Sequence, residues 1–150
     1  MNTFDITERL LLAAVLGGII GIERELKQKA AGVRTNILIA LGASLFTMVS
    51  IALAGPGGIP DRLAGNIVTG VGFLGGGAIL RSGRSVHGMT TAATIWVNAA
   101  IGMAAGAGAF AMASITWAIM LVVLAVLPSI ERAVERRAGL IVPPPNHTDR

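Results

Sequence analysis

One stretch constrains this chain more than any other: residues 65–108, GNIVTGVGFLGGGAILRSGRSVHGMTTAATIWVNAAIGMAAGAG. Two long apolar runs flank a short basic hinge, RSGRSVHG, and no charged residue interrupts either run. A surface helix of a soluble protein keeps a polar face; a helix that is apolar on every side belongs in a bilayer. Small residues recur at four-residue spacing, from Gly72 to Gly76 and from Gly102 to Gly106. That spacing puts them on one helix face, where backbones approach closely in lipid. Gly72, Gly75, Gly76, Gly102 and Gly106 are therefore read as helix-packing positions.

Composition extends the membrane reading to the whole chain. At 150 residues there is room for one domain. Hydrophobic residues make up 53% and charged residues 13%, against about a quarter charged in a soluble domain. Mean hydropathy is +0.73. The net charge of +4 sits in short clusters between apolar runs, and there is no tyrosine to stack on bases, so nucleic acid is not an expected partner. Without cysteine, disulfides, thiol catalysis and thiolate metal sites are excluded. The start, MNTFDITERLLL, has no basic region and no small-residue cleavage site, so no removed signal peptide is expected.

Taken in order, the apolar segments predict an all-α, polytopic membrane bundle of about five spans, packed through glycine and alanine. The spans fall at about 6–22, 35–54, 63–80, 89–106 and 110–127, within a membrane domain covering 1–128. Thr7 is the expected cap of the first span, and Gly17 and Gly21 repeat the small-residue spacing. GPGGIP, at 55–60, ends the second span in a tight turn. Pro128 is expected to close the fifth span, and Trp117 to pack on a neighbouring helix. Residues 129–150 form a tail, with a short amphipathic helix from Ser129 and a disordered, proline-rich end.

Basic residues set the expected orientation. Arg24, Lys27, Lys29, Arg34, Arg81, Arg84, Arg132, Arg136, Arg137 and Arg150 fall on one side, Arg9 and Arg62 on the other. Positive charge accumulates inside, so the C-terminus is expected in the cytoplasm and the N-terminus outside. Glu23, Arg24, Glu25, Arg34 and Arg81 then form a charged rim on the cytoplasmic face, in which Glu23 is expected to pair with Arg34 or Arg81. Five short spans make a thin bundle, for which a two-fold homodimer is the expected assembly.

Signals for catalysis are absent. Gly70-Val-Gly72-Phe-Leu-Gly75 spells G-x-G-x-x-G, but inside an apolar span with no acidic residue following at the nucleotide-binding distance. His87 and His147 have no second ligand at metal spacing, and no serine has a paired histidine and carboxylate. Neither an enzyme nor a cofactor is expected. A hard cation such as Mg²⁺ takes oxygen ligands. Within the spans these are Asn66, Thr69, Thr90, Thr91, Thr94 and Asn98 with backbone carbonyls, and the metal ligands stay unassigned. Thr90, Thr94 and Asn98 stand at i, i+4 and i+8, with Thr91 beside them. Such a stripe lines a pathway or hydrogen-bonds a neighbouring helix.

Three motifs in order complete the picture: GGIIGIERE (17–25), AGVRTNILIALGASLF (31–46) and GVGFLGGGAILRSGRSVHGMTTAATIWVNAAIGMAAGAG (70–108). In these the chain resembles the MgtC/SapB family of bacterial inner-membrane proteins. The resemblance implies a multi-pass inner-membrane protein tied to magnesium limitation and, in pathogens, to survival inside host cells. It leaves two functions open: movement of an ion, or regulation of a membrane partner such as the ATP synthase. Many relatives have an acidic residue after the hinge arginine, where this chain has Ser82 after Arg81, which removes one candidate cation ligand. Longer members also carry an ACT-like soluble C-terminal domain, which a chain ending at Arg150 is expected to lack.

Overall fold

The computed structural model describes residues 1–55, 61–83 and 85–138, with the backbone alone at 61–64. The expected turn at 55–60, apart from Gly55, lies outside the described residues, as do Arg84 and the proline-rich end of the tail. The elements are α1 (Thr3–Leu26), α2 (Val33–Ala54), α3 (Asp61–Gly77), a hairpin of β1 (Leu80–Ser82) and β2 (Ser85–His87), α4 (Met89–Gly106) and α5 (Phe110–Arg137). The protein is an all-α membrane bundle. α2 and α5 are long and apolar enough to cross a bilayer by length and composition alone.

Side-chain placement follows lipid rather than water. Beside Ile20 and Ile101, many buried positions go to small or polar residues: Ala13, Ala40, Ala43, Ala99, Ala105, Ser44, Asn36 and Asn98. Large apolar side chains point outward, with Leu11, Leu38, Leu53 and Phe73 all more than half exposed. A water-soluble bundle would bury these and expose the asparagines.

The chain falls into two units, Met1–Trp117 and Ala118–Arg150, with α5 passing from one into the other. In the first unit α2 and α4 run in the same direction. Asn98 meets Asn36, Gly102 meets Ala40 and Gly106 meets Ser44, each with the same offset along the chain. The two glycine contacts are backbone to backbone: a methyl group at Gly102 would collide with the Ala40 carbonyl, and one at Gly106 with that of Ser44. α1 runs opposite to both. Its Gly17 lies against Asn36 and Ala40 of α2, and its Gly21 against Val33. Along α4, Arg24 of α1 meets Thr91 and Arg9 meets Gly106. The loop 27–32 and the hairpin 80–87 therefore lie at one end of this unit.

α3 packs by a different face from the one its glycine spacing suggested. Ile67, Val71 and Gly75, at four-residue intervals, turn toward α2 and α4; Ile67 joins Ala43 and Ala99, and Gly75 touches Ala92. At Gly72 and Gly76, expected in a helix contact, an added Cβ would meet nothing within 4 Å among the described residues. The bulkier Ile67–Val71 row sets the helix phase and carries the glycine row outward.

Local signals fix the helix ends. Asn2, not Thr7, caps α1: its side chain accepts from the Asp5 amide at 2.8 Å while Asp5 accepts from the Asn2 amide at 3.1 Å. Thr7 instead donates to the Thr3 carbonyl within the helix. α4 starts at Gly88, whose φ of +88° is a left-handed conformation, and a side chain there would strike the Ala78 carbonyl. Its C-terminal end is held by Arg9, which donates to the Gly106 carbonyl at 2.6 Å, a cation placed at the negative end of the helix dipole. Trp117 donates its indole N–H to the Leu16 carbonyl at 3.1 Å, the neighbour contact expected of it.

Pro128 does not close α5. The helix continues to Arg137, and the Pro128 carbonyl accepts from Arg132 Nε at 3.0 Å. A proline removes one amide donor and crowds the carbonyl before it, which bends a helix without always ending it. Twenty-eight residues reach roughly 42 Å, longer than a hydrocarbon core of about 30 Å, so the charged turns from Glu131 onward lie beyond its apolar part.

The glycine contacts make a direct test. Gly102→Ala should lower stability by about 1–3 kcal/mol, the usual range for forcing volume into a filled contact. Gly72→Ala, on an open face, should leave stability unchanged or slightly raised. Thermal unfolding of both variants in one detergent would compare them.

Candidate functional site

The charged rim and the polar stripe, separate features in the sequence, meet in one buried cluster where α1, α2 and α4 converge. Arg24 is 4% exposed and donates from Nη2 to Thr91 Oγ1 at 3.0 Å. Its Nη1 lies 3.9 Å from Glu23 Oε2. Glu23 Oε1 in turn forms an ion pair with Lys27 Nζ at 2.7 Å, one helix turn on. The expected partners Arg34 and Arg81 do not reach it. Arg34 is exposed at the start of α2, and Arg81 is exposed in the hairpin, its Nε bonded to the Gly83 carbonyl at 3.2 Å. Helical periodicity explains the difference. Glu23 and Lys27 face each other at i, i+4, while Arg34 lies on another helix, rotated away.

Glu25 has a separate role. Its Oε2 accepts from the Val33 amide at 3.2 Å and so caps α2, whose N-cap residue, Gly32, has no side chain for the purpose. The loop between the helices is tight, with left-handed Gln28 and Ala31.

One turn deeper, Asn36 and Asn98 are fully buried and bonded across α2 and α4. Asn98 Nδ2 donates to the Asn36 carbonyl at 2.8 Å and to Asn36 Oδ1 at 3.1 Å. Asn36 Nδ2 donates back to the carbonyls of Ala31 and Gly32 and so ties the loop to the seam. Thr94 is buried and donates to the Thr90 carbonyl at 2.8 Å; Thr90 itself is exposed. Asn66 lies apart, at a groove along α3. The stripe is thus divided: Thr91, Thr94 and Asn98 face the bundle interior, and Thr90 and Asn66 do not. Among the described residues Glu23 Oε1 and Oε2, Arg24 Nε, Asn98 Oδ1 and Ser44 Oγ are buried without a hydrogen-bond partner. No three of His, Cys, Asp and Glu cluster among those residues.

Sequence reasoning missed Asn36, the partner that gives Asn98 its role. Its signal was there: a lone amide early in an otherwise apolar helix, four residues before Ala40 and eight before Ser44, matching the Asn98–Gly102–Gly106 spacing.

The model of the MgtC family matches residues 10–133. The chain belongs to the MgtC family. An uncharacterised protein of Synechocystis is 50% identical over 105 residues, 70% of this chain and 44% of its own length. Protein MgtC of Brucella abortus is 41% identical over 126 residues, 84% of this chain and 52% of its own. The putative magnesium transporter YhiD of Escherichia coli K12 is 46% identical over 115 residues, 72% of this chain and 54% of its own. This MgtC-family chain spans about half the length of the curated relatives it matches. No solved structure matches it.

The Arg24–Thr91 bond can be tested by a mutant cycle. Thr91→Val leaves a buried guanidinium short of a partner and should lower stability by about 1.5–3 kcal/mol, the range for a hydrogen bond to a charge. Arg24→Met should remove most of the further effect of Thr91→Val, a coupling that thermal unfolding of the two singles and the double would reveal.

Proposed function

We propose that the protein serves magnesium homeostasis from the bacterial inner membrane, by contact with other membrane components rather than by conducting ions. Its five helices are taken as spans, with the end that carries loop 27–32 and hairpin 80–87 in the cytoplasm. The concentration of lysine and arginine at that end supports this orientation. The link to magnesium rests on the name of the YhiD relative and on membership of the MgtC family.

The observation that carries the non-conducting reading is Arg24. An ion path along Thr91, Thr94 and Asn98 would begin at a buried guanidinium, and like charges repel strongly where water is scarce. Thr91, Thr94 and Asn98 are also engaged in bonds inside the bundle. Transport remains the second reading, favoured by the name of YhiD.

Reconstitution separates the two. Purified protein in liposomes loaded with a magnesium indicator should show no uptake above protein-free liposomes. In cells starved of magnesium the same chain should support growth, and Arg24→Gln, matched for expression, should not. Uptake that Asn98→Leu abolishes without unfolding the protein would establish the transport reading instead.

A further inference from the structure

An apolar groove of about 780 Å³ runs along the seam of α2 and α3. Leu38, Gly42 and Phe46 line it from α2, and Asn66, Gly70 and Leu74 from α3. It is open at both glycines, where an added Cβ would meet nothing within 4 Å. From Thr35 to Phe46 the groove follows α2 for roughly 16 Å, about half the thickness of a hydrocarbon core. That is the depth of one leaflet.

Charge accumulates at the Thr35 end. Arg34 immediately precedes Thr35 and is exposed, and the chain leaving α3 beyond Leu74 enters the hairpin that carries exposed Arg81. The nearby carboxylates are already engaged: Glu23 holds Lys27, and Glu25 caps α2. Lys29, Arg34 and Arg81 have no carboxylate partner among the described residues. A one-leaflet apolar trough with unpaired cations at its mouth is complementary to one kind of molecule. We infer that this groove binds an anionic phospholipid, an acyl chain along α2 and α3 and the phosphate at Arg34 and Arg81. The hairpin is suited to that level of a bilayer: Leu80 and Val86 are exposed beside Arg81 and Ser82, so apolar and basic groups lie together where headgroups meet hydrocarbon.

Native mass spectrometry of the purified chain, challenged with dioleoyl phosphatidylglycerol, dioleoyl phosphatidylcholine or glycerol phosphate, tests this. Phosphatidylglycerol should be retained over phosphatidylcholine, and glycerol phosphate should not bind. Arg34→Gln should weaken phosphatidylglycerol binding about fivefold, the usual effect of one basic residue at an anionic surface, and leave phosphatidylcholine unaffected. Gly70→Leu, which fills the trough where there is space, should remove retention of both lipids; Gly42→Leu serves if that variant does not fold. Equal retention of the two lipids by the native chain overturns the proposal, as does retention undiminished by a filled trough. A lipid-free dimer that Gly70→Leu dissociates would assign the groove to a second copy of the chain and overturn it as well.

Discussion

Helices in lipid gain little from hiding apolar surface, because the hydrocarbon outside is as apolar as leucine. What holds them is close contact between atoms and the few polar bonds made across a seam. In this protein that contact is the parallel seam of α2 and α4. Asn98, Gly102 and Gly106 lie on Asn36, Ala40 and Ser44, near enough for backbones to touch. α1 lies against the same segment of α2 from the opposite direction through Gly17 and Gly21. The asparagine pair lies at one end of this seam and acts as its register mark. A slip of one residue would leave buried amides unpaired in a medium without water to satisfy them.

That register also places the buried guanidinium of Arg24. Arg24 ends deep against Thr91 only because α1 is drawn close to α4 and held there at its other end by Arg9 on the Gly106 carbonyl. A buried guanidinium is costly, and it persists because the Thr91 hydroxyl accepts from it and the Glu23 carboxylate lies 3.9 Å away. Removing one member of this set is expected to disturb more than removing two, the signature of a coupled network.

Much of this was legible in the sequence. The all-helical class, the start and end of α4 and the neighbour contact of Trp117 follow from apolar runs, glycine punctuation and residue type. What could not be read was which helix faces meet. Spacing alone placed Gly72 with Gly76 in a contact, yet the neighbouring Ile67–Val71 row took the inner side of α3. Pairing across helices was equally hidden. The sequence offered Arg34 or Arg81 to Glu23, and the distance that selects Lys27 exists only once α1 is seen to continue to Leu26. The Asn36–Asn98 bond needed the parallel arrangement of two helices separated by a third, which no local pattern encodes.

The difference between α3 and its neighbours gives these placements a functional sense. α1, α2 and α4 meet through glycines whose added methyl groups would strike backbone, a seam with no space to move. α3 touches α2 and α4 through Ile67, Val71 and Gly75, while Gly65, Gly70, Gly72 and Gly76 leave its remaining surface bare. A bilayer protein whose rigid part encloses its polar groups has little chemistry to offer along that core. It has a great deal to offer on a thinly covered helix that leads directly into a basic hairpin. The rigid seam then serves to present α3 and the hairpin at a fixed depth and orientation. On the proposed non-conducting reading, a membrane component would be recognised there, by shape along the helix and by charge at its end, while Arg24 and the asparagine pair keep the scaffold in register.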